Sequence, residues 1–105
     1  MTILAIVSAE GVTKEVYETL RKEVDWEHKH PTGAVFHVAG FGSGKDSSIH
    51  VADIWESEKD FSNFIDTRLM PVLQRLNVAR PEAQIFEVYN TNIFAPAEKY
   101  RVAEA

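Results

Sequence analysis

The chain has 105 residues, of which 45% are hydrophobic, and a formal net charge of −5. That length sets a single domain that must bury most of its apolar side chains, and an acidic chain with only 11 scattered Lys and Arg lacks the basic face needed for nucleic acid. The absence of cysteine excludes disulfides, thiolate metal sites and cysteine nucleophiles.

Residues 2–8 are apolar with little alternation, as expected of a strand covered on both faces. The apolar run is too short for a signal-peptide core, and no stretch could span a bilayer. The expectation is therefore a soluble cytoplasmic protein with no membrane partner. Thr13 is a candidate N-cap for a helix over residues 14–24, whose stripe Val16, Tyr17, Leu20 and Val24 has helical spacing. The connector that follows holds Trp26, His28 and His30. Two imidazoles could share one side of an extended segment, but further ligands are missing nearby, so a solvated loop with an aromatic lid is preferred over a metal site.

A second strand is expected over residues 34–41, with His37 in its middle. The loop 42–47 contains Gly44-Lys45 but fails the phosphate-loop pattern, which needs Gly at Ala39 and Ser or Thr at Asp46. A glycine-rich hairpin turn is the simpler reading. Residues 49–55 alternate as a strand, with Ile49, Val51, Asp53 and Trp55 on one face and His50, Ala52 and Ile54 on the other. A hairpin centred near Lys45 places His37 opposite Asp53 and Val35 opposite Trp55, and a one-residue slip would separate the first pair. Ser57 supplies an N-cap, and Glu58 and Asp60 put negative charge in the first turn. The helix carries a broad stripe including Phe61, Phe64, Ile65, Leu69 and Leu73, and Pro71 should kink or restart it. A last strand is expected over residues 83–91, giving a domain over 1–93 and a weakly patterned tail over 94–105.

The order strand, helix, strand, strand, helix, strand is the split βαβ arrangement of ferredoxin-like α+β folds, with a four-stranded antiparallel sheet. Helices then cover one face, and the non-alternating strands leave the other apolar, which dimerisation would cover. A Pro-x-Gly lead-in (Pro31, Gly33), the mid-strand His37, the run from Val51 to Phe64 containing D-x-W-E-S, and R-L-x-P (Arg68, Leu69, Pro71) resemble the antibiotic biosynthesis monooxygenase-like superfamily of dimeric α/β barrels. The resemblance spans residues 2–92. It implies a homodimer with an apolar cavity, a small hydrophobic or aromatic ligand, and in some members oxygenation without a cofactor. It also implies that Trp55 lines the cavity. Haem-degrading members carry a His on the second helix, and this chain has none between Ser57 and Leu76.

Two functional classes follow. In the first, a cofactor-independent monooxygenase acts on a phenol or enol that supplies its own electrons, with no metal or flavin. His37 is the base, Asp53 orients it, Trp55 and Val35 form the substrate wall, and Tyr89 adds a polar contact. In the second, a noncatalytic dimeric binding or interaction module uses His37 and Asp53 as a satisfied pair that fixes hairpin register, with Trp55 as core. An isomerase or lyase using the same base is not separable from the first by sequence.

Overall fold

A computed structural model describes residues 1–42 and 48–103. Four strands form one antiparallel sheet in the order β2-β3-β1-β4: β1 (Ile3–Ala9), β2 (Ala34–Phe41), β3 (Ile49–Trp55) and β4 (Glu82–Glu87). Helix α1 (Lys14–Val24) connects β1 to β2. Between β3 and β4 come α2 (Glu58–Phe64), a π-helical turn (Ile65–Leu69) and α3 (Met70–Arg75). This is the ferredoxin-like α+β arrangement. No helix among the described residues is long and apolar enough to cross a membrane.

The helix starts follow from their caps. Thr13 accepts from the Val16 N–H and Ser57 from the Asp60 N–H, each satisfying a donor that the helix itself cannot. Helix α1 stops where Asp25 adopts a left-handed conformation (φ 57°) and returns its N–H to the Arg21 carbonyl. The expected break at Pro71 takes the form of a π turn, in which the Met70 N–H reaches the Ile65 carbonyl five residues back. The wider turn lets the chain absorb the proline, which lacks an N–H, without losing the helix direction, and α3 begins one residue earlier than expected.

Alternation along the strands sorts the side chains onto two faces. Ile3, Ala5 and Val7 of β1, with Ile49, Asp53 and Trp55 of β3, are buried on the helix-covered face. Phe61 and Ile65 pack with Trp55 and β1 in one cluster, and Leu20, Val24 and Leu73 close a second around Ile49. The opposite face carries two rows that cross the whole sheet. Phe36, Ile54, Leu4 and Phe86 are partners in the first row, and Val38, Ala52, Ile6 and Gln84 in the second. Phe36, Val38 and Phe86 are 40%, 49% and 49% exposed, a contiguous apolar patch left open to water.

Two expectations need correction. The last strand ends at Glu87, short of residue 91, because its partner β1 runs out: Ile3 pairs Glu87, and one further bond joins the Val88 N–H to the Thr2 carbonyl. Val35 does not oppose Trp55. A β-bulge between Ala34 and Phe36 inserts one extra residue into the edge strand, so Ala34 takes that place. The slip is confined to the strand's start, and His37 pairs Asp53 as expected. The hairpin loop lies outside the described residues apart from Gly42, whose N–H donates to the Ser48 carbonyl at 3.3 Å.

Candidate functional site

The centre of the sheet places one carboxylate under the helices. Asp53 sits on β3 between Ala5 of β1 and His37 of β2 and is only 8% exposed. A buried carboxylate needs donors to replace water, and two converge on it. His37 Nδ1 lies 2.6 Å from Asp53 Oδ1, and the Trp55 indole N–H donates to Oδ2 at 3.3 Å. Trp55 can do so because residues two apart on a strand share a face.

The remaining imidazole nitrogen, Nε2, is 2.7 Å from the Tyr17 hydroxyl on α1. With Asp53 ionised, the consistent assignment is that His37 Nδ1–H donates to the carboxylate while Nε2 accepts the Tyr17 O–H. The result is a line of hydrogen bonds, Tyr17 to His37 to Asp53, with Trp55 holding the far oxygen. Burial pushes the Tyr17 phenol up to about 12, with Glu27, Asp53 and Glu18 adding to the rise and Arg21 opposing it. The hydroxyl therefore keeps its proton and acts as a donor at neutral pH. Trp26 closes the outer side, its ring 5.5 Å from the imidazole and 5.6 Å from the Tyr17 ring. The His37 side chain remains 34% exposed, so water and small solutes reach its surroundings.

The expected residues distribute unevenly. His37, Asp53 and Trp55 come together. Trp55 is 3% exposed, its ring packed on Phe61 and Phe64, which makes it core at the network's inner end. Val35 is 56% exposed at the bulge, and Tyr89 is fully exposed beyond the end of β4, so neither joins the network. Trp26, expected as part of an aromatic lid on the connector, packs against the His37 and Tyr17 rings, whereas nothing in the sequence pattern singles out Tyr17 for its hydroxyl. Its place on the apolar stripe of α1 accounts for the ring, but a half-buried tyrosine on a stripe facing the sheet also requires a partner for its hydroxyl. His28 pairs with Asp25 at 2.7 Å, holding that carboxyl below its usual range, and His30 Nε2 lies 3.0 Å from the Ala34 carbonyl oxygen. No group of side chains among the described residues is arranged to hold a metal.

The sheet order and the helices on one face define a small α+β protein of the ferredoxin-like class, with the polar line running from α1 through the edge strand β2 to the central strand β3. Comparison with solved structures places it more narrowly, in the fold of the antibiotic biosynthesis monooxygenase-like proteins. SnoaB, a cofactor-independent oxygenase from Streptomyces nogalater, superposes with a TM-score of 0.61 at 15% identity, over 86% of this chain and 94% of that one. A candidate antibiotic biosynthesis monooxygenase from Chloroflexus aurantiacus gives 0.62 at 10% identity, over 88% and 97%. A protein of unknown function from Nitrosomonas europaea gives 0.65 at 15% identity, over 90% and 95%. No family model and no curated protein sequence matches the chain.

Proposed function

We propose that this protein is a cytoplasmic, homodimeric, cofactor-independent monooxygenase acting on a small electron-rich phenol or enol. The observation that carries the reading is the Tyr17–His37–Asp53 line, which can accept a proton at a partly open position and spread the resulting charge onto a buried carboxylate. A substrate hydroxyl bonded to the Tyr17 oxygen would pass its proton to that oxygen as the phenol proton moves to His37 Nε2. Asp53 then faces an imidazolium. The substrate anion gives one electron to dioxygen, and the radical pair combines to form the new carbon–oxygen bond. Cleavage of the peroxide O–O bond, with loss of the remaining hydrogen of the oxygenated carbon as a proton, leaves a carbonyl oxygen on that carbon and releases water. The proton held on His37 returns in that step. The substrate supplies all the electrons, so the balance requires no further reductant. A fold shared with a cofactor-independent oxygenase supports the same chemistry.

The apolar rows of Phe36, Ile54, Leu4 and Phe86 and of Val38, Ala52 and Ile6 support a homodimer in which a second copy covers this face. Oxygen-electrode assays with a panel of hydroxylated anthrones, naphthols and enols test the activity. Stoichiometric oxygen uptake that His37→Ala lowers by about 100-fold or more is the expected outcome. Uptake unchanged in His37→Ala would remove the base assignment.

One feature favours a second reading, a noncatalytic dimeric module that binds a hydrophobic small molecule. The network is complete in itself, with His37 Nε2 occupied by Tyr17 and both oxygens of Asp53 satisfied. Under that reading His37→Ala lowers the melting temperature and leaves ligand affinity intact.

A further inference from the structure

Two of the motifs singled out in the sequence, Pro-x-Gly at 31–33 and R-L-x-P at 68–71, take no part in the Tyr17–His37–Asp53 line. The fold brings both to the same place, a half-open hollow of 280 Å³. Pro31 and Thr32 form one wall, Asp60, Asn63 and Phe64 of α2 the second, and Thr67 and Arg68 of the π turn the third. Gly33 allows this closeness. Its φ of +83° is a left-handed conformation, and a Cβ there would collide with the Asp60 side chain.

Arg68 is the group that points to a ligand. One guanidinium N–H donates to the Val24 carbonyl at 2.8 Å, and the guanidinium lies 5.4 Å from the centre of the Phe64 ring. The side chain is thus fixed in position before any ligand arrives, which lowers the entropy lost on binding. Among the described residues it forms no ion pair, although Asp60 lines the same hollow. The free N–H groups of a tethered guanidinium match a carboxylate in a two-point contact. Asn63 beside it can donate from its amide, and Phe64 offers an apolar wall. Asp60 can accept from a hydroxyl at the ligand's other end. The volume lies just below the usual range of small-molecule pockets, which limits the occupant to about one ring.

We propose that this hollow binds a small aromatic carboxylate, the acid group on Arg68 and the ring against Phe64. The site is separate from the proposed proton relay, because neither Tyr17, His37 nor Asp53 lines it.

The test is calorimetric or NMR titration of the full chain with 4-hydroxybenzoate, and with 4-hydroxybenzamide as its uncharged counterpart. The expected result is saturable binding of the acid at one site per chain, with the amide weaker by about tenfold or more. Asn63→Asp, an exposed position, should weaken the acid by a similar factor at an unchanged melting temperature. Arg68→Gln should abolish binding. Since it also removes the Val24 contact, its melting temperature is read alongside, and Asn63→Asp carries the decision if the fold is lost. His37→Ala should bind the acid as the parent does, which separates this site from the relay. No saturable binding of the acid to the parent protein, equal affinity for acid and amide, or an unaffected Asn63→Asp would each overturn the assignment.

Discussion

Tyr17 is the most informative place to perturb the network, because its ionisation reports burial and its hydroxyl reports the contact with His37. The chain has three tyrosines, and Tyr89 and Tyr100 are both largely exposed. Replacing both by Phe leaves Tyr17 as the only phenol. The near-ultraviolet absorbance of tyrosinate should then rise with a midpoint of about 12, against the ordinary value of 10.0. An unfolded chain gives up the Tyr17 proton near pH 10, whereas the folded protein holds it to about pH 12. Between those limits the native state binds more protons than the unfolded one, so stability is fully present below pH 10 and falls as pH rises towards 12. Proton retention over two pH decades corresponds to at most about 2.7 kcal/mol. Solvent contact with the half-exposed ring reduces this to about 1 kcal/mol. Urea unfolding from pH 9 to pH 12 should show the decline in the double variant and lose the Tyr17 part of it when Tyr17→Phe is added. A midpoint near 10 in the folded double variant would refute the burial argument.

Three further outcomes follow from the packing. Phe36→Asp places a charge at the β2 end of an apolar row on the open face without touching the helix side, and in the proposed two-fold interface the change is made twice. If a second copy covers this face as proposed, sedimentation should show the dimer constant weakened by about 100-fold or more, and a monomeric parent or an unchanged constant would refute that interface. Leu73 is fully buried, so Leu73→Ala should cost about 2–5 kcal/mol by denaturant unfolding, and a loss below about 1 kcal/mol would mean that the site collapses around the change. Gly33→Ala combines a left-handed backbone with the Asp60 collision and should cost about 1–3 kcal/mol. Gly33→Ala with Asp60→Ala should recover part of that loss, and no recovery would assign the whole effect to the backbone.

The parts of the fold legible in the sequence are those with a local physical marker. Thr13 and Ser57 mark helix starts because a hydroxyl before an amphipathic run satisfies an otherwise unpaired N–H. The facing of His37 and Asp53 was legible because a hairpin centred near Lys45 sets the two opposite each other and period-two alternation then puts them on one face. The bulge at Val35 has no such marker. Nothing in Ala34-Val35-Phe36 differs from regular strand, and only the pairing with β3 reveals the extra residue. The end of β4 was hidden for a related reason: residues 88–91 remain strand-like in composition, but a strand stops where its partner stops. Tyr17 was hidden differently. Its position on the stripe of α1 explained its apolar ring, and a ring that is already explained attracts no search for the hydroxyl's partner 20 residues away.

The two faces of β3 carry the two functional proposals separately. Asp53 and Trp55 point to the helices and anchor the hydrogen-bonded line, while Ala52 and Ile54 point the other way into the open apolar rows. On β2 the same alternation sets His37 between Phe36 and Val38. The imidazole is therefore held on an edge strand, which has sheet hydrogen bonds on one side only, and whose neighbouring residues on the far face are exposed in a single chain. An edge strand with a bulge is the part of a sheet least restrained by its own pairing. Covering Phe36 and Val38 with a second copy would hold the strand from behind and so steady the contact between His37, Tyr17 and Asp53 on its front. The apolar face and the polar line are then physically linked without sharing a residue: one supplies rigidity to the strand, and the other uses that rigidity to keep a 2.6 Å and a 2.7 Å hydrogen bond in register.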